Sequence, residues 1–334
     1  PLTHQEPRIL AEGVFSGTAV GFRELSFTSD GRFLIAIIAE FMEISRQSAA
    51  ARRQSRIEVW DLEAGGPKRT LAILPFLAVP QLAIDPLQRF VAVSIPGGVA
   101  LVPLAGGEIR RLEGFERLTW IGDVAIDAEG RRVAACSFRG SADDKVIRVW
   151  DLETEEVTVL GPVEGAGDGF VGQVIGLGFL PDGSVVSHGY RGLWLWNLVH
   201  KRHEVLAPSR GWGAGLAVFG GGRYAARTAE MINDETRSVI EIMDLGTKTT
   251  RTVASGTTDP RMAATDPKGD VLVSVDNADG RVLRVGTTST WQPHLLLGHR
   301  ERIWAAAVSP DGRWIASAAQ DGTLRLWPVP DLSK

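Results

Sequence analysis

Apolar and polar positions along this chain alternate in short runs, and the runs recur with a long period. Seven β-branched or leucine-rich runs, at 57–61, 99–103, 147–151, 193–197, 240–244, 282–286 and 324–328, each close on Trp or an apolar equivalent. The closing residues are Trp60, Val102, Trp150, Trp196, Met243, Val285 and Trp327, and they are separated by 42, 48, 46, 47, 42 and 42 residues. A period of this size marks one supersecondary unit stacked many times. Within each unit a short apolar strand comes first, for example 25–27, 124–126 or 305–308, and a tight turn follows. Five of these turns carry Gly as their second residue: Asp30-Gly31, Glu129-Gly130, Asp182-Gly183, Lys268-Gly269 and Asp311-Gly312. A sixth is the glycine run 220–222, and the second unit has Asp85-Pro86-Leu87-Gln88 instead. Glycine suits these turns because one turn residue must take a positive φ. A second strand, the closing run and a more polar fourth strand complete the unit.

Four short antiparallel strands per unit at this period predict an all-β fold, a seven-bladed β-propeller. The last closing run is followed only by Pro328-Val329-Pro330 and the chain end, so its blade lacks a fourth strand. Residues 8–11 (Arg-Ile-Leu-Ala) match 69–72 (Arg-Thr-Leu-Ala) in character. They are expected to pair with the last blade, closing the ring and covering its exposed edge. The whole of 1–334 reads as one propeller domain. Because the chain begins at Pro1 and not Met, it is expected to be either processed or a piece of a longer protein.

Composition narrows the function classes. With 36 basic and 40 acidic residues and a net charge of −4, the chain has no global electrostatic basis for binding nucleic acid or an anionic membrane. No apolar run is long enough to span a bilayer as a helix. The single cysteine, Cys136, allows no internal disulfide, which suits a reducing compartment, and a cytoplasmic location is expected. No nucleophile elbow, zinc-protease helix or phosphate-binding loop is present. His200 and His203 lack a third ligand at suitable spacing. The acidic pairs Asp143-Asp144 and Asp234-Glu235 supply too few oxygens for a calcium loop. No cofactor or metal is expected.

The last unit carries Gly298-His299, Ser309-Pro310-Asp311-Gly312 and Asp321-Gly322-Thr323 in order. In this it resembles a WD40 repeat, and the resemblance extends in weaker form over the chain. The ragged repeats and the ending Leu326-Trp327-Pro328-Val329-Pro330 are similar to C-terminal propellers of large bacterial multidomain signalling or effector proteins. The resemblance implies that His299, Ser317, Asp321 and Trp327 form a structural hydrogen-bond tetrad rather than a His-Ser-Asp catalytic set. The third unit retains Ser137, Asp144 and Trp150 but has no Gly-His. It also implies a non-catalytic platform, a sensor or regulatory domain, whose partner is a protein or peptide and possibly another part of the same polypeptide. As a closed ring it needs no oligomer. The alternative is a propeller enzyme with a metal in its central channel.

Alignment on the turns places Arg23, Gly122, Ile175, Ala214, Arg261 and Trp304 at equivalent positions where the chain enters each first strand. Trp120, Gln173, Trp212, Asp259 and Arg302 lie two residues earlier. Arg23, Trp120, Gln173, Trp212, Arg261, Arg302 and Trp304 are therefore the candidate partner-binding residues of the top face, since Trp and Arg dominate binding hot spots. The competing expectation is that the tryptophans plug the channel or pack between blades. Two insertions flank this face. Residues 40–56 form an arginine-bearing loop with Arg46, Arg52, Arg53 and Arg56, and residues 229–237 form an acidic one with Glu230, Asp234 and Glu235.

Overall fold

The computed structural model describes residues 6–12, 21–42, 52–65, 68–75, 81–116, 119–139, 146–161, 174–189, 192–208, 215–232, 236–256, 263–276 and 280–333. They form seven four-stranded antiparallel sheets. Six blades are consecutive in sequence. The first is built from Gly21–Phe27, Phe33–Met42, Arg52–Asp61 and Arg69–Leu74. The second uses Leu82–Ile84, Phe90–Ile95, Gly98–Pro103 and Arg110–Glu113. The third uses Trp120–Ile126, Arg132–Arg139, Ile147–Asp151 and Val157–Leu160. The fourth uses Val174–Phe179, Val185–Gly189, Gly192–Asn197 and Arg202–Pro208. The fifth uses Leu216–Phe219, Tyr224–Ile232, Thr236–Asp244 and Thr249–Gly256. The sixth uses Ala263–Thr265, Leu272–Asp276, Val282–Gly286 and His294–Leu296. The seventh takes three strands, Ile303–Val308, Trp314–Ala319 and Leu324–Pro328, from the end of the chain and its outer strand, Arg8–Ala11, from the beginning.

The inner strands touch their neighbours in a cycle that returns from the seventh blade to the first, so the sheets close into a ring. The closing strand lies where the sequence places it. Arg8 pairs with Leu326, Ile9 with Arg325 and Ala11 with Leu324, Leu10 being an extra residue. The hydrophobic core is a set of layers between blades. Phe22, Leu25, Leu34, Trp60, Ala316 and Leu326 pack the first blade on the seventh. Val273, Val285, Ile303, Ile315 and Trp327 pack the sixth on the seventh. Ile35, Ile57, Val91 and Val102 pack the first on the second. Alternation along each strand supplies both layers at once: Leu34 and Ala36 face one neighbour, Ile35 and Ile37 the other.

The turn glycines adopt the conformation expected of them, with φ of 72° at Gly31 and 69° at Gly312. In the second blade Gln88 takes the same left-handed place at φ 57°. Asp85 secures that turn: its carboxylate accepts from the Arg89 amide at 3.0 Å and from Arg89 Nε at 2.6 Å. On the same side of the ring, the aspartate that ends a closing run is clamped by an arginine just after the preceding turn. The pairs are Arg32–Asp61 (2.7 Å), Arg131–Asp151 (2.9 Å) and Arg223–Asp244 (2.9 Å). Sequence reading did not find this repeat, although Arg follows the turn in each of the three units.

Two expectations about the insertions need correction. The segment 40–56 is not a loop throughout, because the strands run on to Met42 and restart at Arg52, with Met42 opposite Arg52. Likewise Ile232 pairs with Thr236. Ladder hydrogen bonds use backbone groups alone, so a hairpin can extend with a polar sequence that carries no core pattern. Residues 43–51 and 233–235, with Arg46, Asp234 and Glu235, lie outside the described residues. So do Asp143 and Asp144. Among the described residues no helix is long and apolar enough to cross a membrane.

Candidate functional site

In four blades the inner strand carries one residue too many at the same place. Phe22 pairs with Ile38 and Glu24 with Ile37, leaving Arg23 as the extra residue of a β-bulge. Gly122 is extra between Ile121 and Asp123, Ile175 between Val174 and Gly176, and Trp304 between Ile303 and Ala305. These are the positions that alignment on the turns made equivalent. A bulge bends its strand and re-aims the extra side chain. In adjoining blades this brings Arg23 and Trp304 together, with the Arg23 Cζ atom 5.1 Å from the centre of the Trp304 ring. Arg302 reaches the same ring from the start of its own strand, at 5.6 Å. Both distances are in the range of a cation–π contact. All three side chains are half-buried. Burial holds the Arg23 guanidinium below its ordinary pKa.

Of the other candidates, Trp120 opens the inner strand of the third blade and is 45% exposed. Gln173, Trp212 and Arg261, together with Ala214 and Asp259, lie outside the described residues. The structure therefore unites three of the seven candidates and places a fourth on a separate blade.

Among the described residues the inner strands carry two carboxyl groups, Glu24 and Asp123. Burial raises Asp123 to about 7, against the hydrogen bonds it accepts from the Val124 and Leu177 amides. Burial raises Glu24 to about 8, and the charge of Asp123 adds to the shift. Both residues keep some accessible surface. The two Asp123 oxygens are taken by backbone amides of the third and fourth blades at 2.8 and 2.7 Å, so this group latches blade to blade. Among the described residues no cluster of three or more His, Cys, Asp or Glu side chains could hold a metal. His203 lies in the outer strand of the fourth blade, and it packs on Trp194 and Trp196 with ring centres 5.4 and 5.0 Å away. Cys136 is fully buried, and its thiol points at the Val174 carbonyl, 3.3 Å away.

The seventh blade contains a continuous hydrogen-bond chain. Trp327 Nε1 donates to Ser317 Oγ at 2.8 Å, and Ser317 Oγ lies 2.7 Å from His299 Nε2. His299 Nδ1 lies 3.1 Å from Asp321 Oδ2. The directions consistent with this network make the serine hydroxyl donate to Nε2 and the Nδ1–H donate to the carboxylate. Burial pushes His299 down to about 4, and the neighbouring Asp321 only partly opposes this, so the ring is neutral at pH 7. Burial works to raise Asp321, but hydrogen bonds from the Thr323 hydroxyl and the Arg300 amide outweigh it and hold the group ionised. Ser317 exposes no surface, which is incompatible with a nucleophile that must meet a substrate. The chain ties the strand carrying Ser317 to the loop carrying His299 and the turn carrying Asp321.

The expectation for the third blade was wrong in register. Trp150 sits opposite Val133, so the place that Ser317 fills in the seventh blade is filled by Ala135, not Ser137. Trp150 Nε1 donates instead to the Glu113 carbonyl at 3.2 Å. The fourth blade holds the partner that sequence reading missed. Ser187 stands in the Ser317 place, and its hydroxyl accepts from Trp196 Nε1 at 2.7 Å. Counting two residues inward from the partner of the closing Trp would have found it.

With this geometry in hand, the chain compares with known proteins as follows. The family model for the WD domain, G-beta repeat, matches residues 107–151 and 291–328. Each match runs from the outer strand of one blade to the third strand of the next, including the blades of Trp150 and Trp327. The chain thus carries WD40 repeats on a seven-bladed propeller. A 59-residue segment is 41% identical to U3 small nucleolar RNA-associated protein 21 of Saccharomyces cerevisiae, covering 18% of this chain and 5% of that protein. A 32-residue segment is 53% identical to ribosome biogenesis protein BOP1 of Rattus norvegicus, covering 10% of this chain and 4% of that protein. Among solved structures, the Myceliophteria thermophila Cps50 (Swd1) β-propeller domain superposes over 97% of this chain and 100% of its own, with a TM-score of 0.71 at 16% identity. A chain of the mitotic checkpoint complex superposes over 99% and 96%, with a TM-score of 0.68 at 16% identity. These likenesses show the fold.

Proposed function

We propose that this propeller is a non-catalytic platform that binds a protein or peptide on its top face, through Trp304 and the arginines around it. The observation that carries the reading is the bulge-built cluster of Arg23, Arg302 and Trp304, which presents hot-spot residue types at the joint between two blades. The rigid ring suits that role, because preorganised contacts spare a partner the cost of ordering its receptor. The regulatory part of the proposal is that the ring acts on other modules of a longer cytoplasmic polypeptide of the bacterial multidomain type. It rests on the resemblance of the ragged repeats to propellers of bacterial multidomain proteins. The curated relatives it matches are eukaryotic and share only short segments.

The test is affinity capture with the intact ring as bait, beside a ring carrying Trp304→Ala and Arg302→Ala, with thermal melts to show that both are folded. A partner retained by the intact ring and lost from the variant is the expected result. Equal retention by both rings would move the site away from this cluster.

A further inference from the structure

Five arginines elsewhere in the ring are matched closely with carboxylates. Arg32 meets Asp61, Arg89 meets Asp85, Arg131 meets Asp151, Arg223 meets Asp244 and Arg227 meets Glu241, all at 2.6–2.9 Å. Arg23 and Arg302 have no such match. They share one indole, and among the described residues neither has a carboxylate or hydrogen-bonding partner for its guanidinium. Two like charges drawn to one ring repel each other, and a half-buried site screens that repulsion less than open water does. An oxyanion bound at this cluster would offset that repulsion and satisfy donors that the fold leaves open. The local charge is also opposite in sign to the net −4 of the chain.

We infer that the Arg23–Trp304–Arg302 cluster is a receptor for a single oxyanion, a carboxylate or phosphate, carried on a peptide side chain. This rests on the platform reading above and gives its partner a chemistry. A peptide fits better than a polynucleotide. One acidic side chain needs only these two guanidiniums, whereas a run of phosphates would extend over a surface whose overall balance is acidic and would gain nothing from counterion release there. The indole contributes by holding both guanidiniums in cation–π contact, which reduces the side-chain entropy left to be lost on binding.

A positional-scanning array of short peptides, each fixed at one position as Glu, Asp, phosphoserine, Gln or Ser, should be probed with the full chain, together with a single-stranded oligonucleotide. Rings with Arg23→Gln, Arg302→Gln, both changes, or Trp304→Phe serve as comparators, with thermal melts as the folding control. The expected result is enrichment of an acidic residue at one position. Affinity for those peptides should fall about tenfold for each guanidinium removed, the loss of one charge-assisted hydrogen-bonding group. Preference for phosphoserine over Glu would identify a phosphate ligand, and the reverse a carboxylate. Selection of neutral peptides that still depend on Trp304 would overturn the oxyanion inference while leaving the platform standing. Acidic selection unchanged by both Arg→Gln substitutions, binding of the oligonucleotide alone, or no selection at all would overturn it as well.

Discussion

The seventh and fifth blades place different chemistry on the same scaffold positions. In the seventh, Trp327 lies opposite Ile315, and two residues inward Ser317 lies opposite Arg325. In the fifth, Met243 lies opposite Ala225, and two residues inward Arg227 lies opposite Glu241. Ser317 anchors a neutral hydrogen-bond chain. Arg227 instead donates from Nε and Nη2 to one Glu241 oxygen at 2.9 and 2.7 Å, with both side chains largely buried. The ring geometry therefore does not depend on the tetrad. It needs apolar layers between blades, and a buried polar side chain such as Ser317 or Arg227 at this inner register needs a partner. A hydroxyl chain and an ion pair both meet that demand, but they fail differently. A neutral chain loses the bonds it made, whereas a broken buried pair leaves an uncompensated charge.

That difference sets the order of the expected effects. Glu241→Gln should be the most damaging change, about 3 kcal/mol, because Arg227 is left buried without its counter-charge. The double change Arg227→Met with Glu241→Met should restore most of that loss, as urea unfolding midpoints would show. A double variant no better than the single would mean that the pair contributes net attraction of its own. Next, Ser317→Ala should cost about 2 kcal/mol, since Trp327 Nε1 and His299 Nε2 both lose a buried partner. Hydrogen exchange at the Trp327 indole should accelerate with it.

His299→Gln should cost about 1–2 kcal/mol at pH 7.5, and the deficit should depend on pH. The folded pKa of His299 lies near 4, below its ordinary value of 6.5, so its stabilising contribution is complete above pH 6.5 and is lost as pH falls towards 4. The gap between the native ring and the variant should narrow across that interval. Glu24 and Asp123 act with the opposite sign. Their raised values contribute stability at low pH that is lost as pH rises through about 7 to 8, and they cancel because both rings carry them. A gap that widened on acidification would show that His299 is charged in the fold. The mildest change is Ser187→Ala in the fourth blade, about 1 kcal/mol, because only the Trp196 indole depends on that hydroxyl. A loss equal to that of Ser317→Ala would mean that the rest of the tetrad adds nothing.

Much of the architecture was legible because a blade is a local object. Alternating apolar residues, a turn residue with positive φ and a closing Trp all lie within one repeat of the chain, and their recurrence makes the pattern readable even where single copies are weak. The closing strand was legible for a related reason: a last blade without a fourth strand demands one, and Arg8–Ala11 has the composition for it. The site was only partly legible. Alignment could show that Arg23 and Trp304 occupy equivalent positions. It could not show that a bulge turns both towards one another, because a bulge leaves no residue signature of its own at these positions. Ser137 was misplaced and Ser187 overlooked because the tetrad depends on cross-strand register, which spacing along the chain does not report.

The sequence by itself determined the all-β class, the number of blades, the strand that closes the ring and the residue types offered at the channel mouth, since each follows from periodicity and local backbone chemistry. The tertiary structure alone decided which side chains meet. It set Arg23 of the first blade against Trp304 of the last, residues nearly the whole chain apart, and paired Arg227 with Glu241 where other blades use a hydroxyl or an apolar residue. Such contacts are fixed by ring closure and strand register, which bring together distant residues whose separation along the chain carries no signal of their proximity.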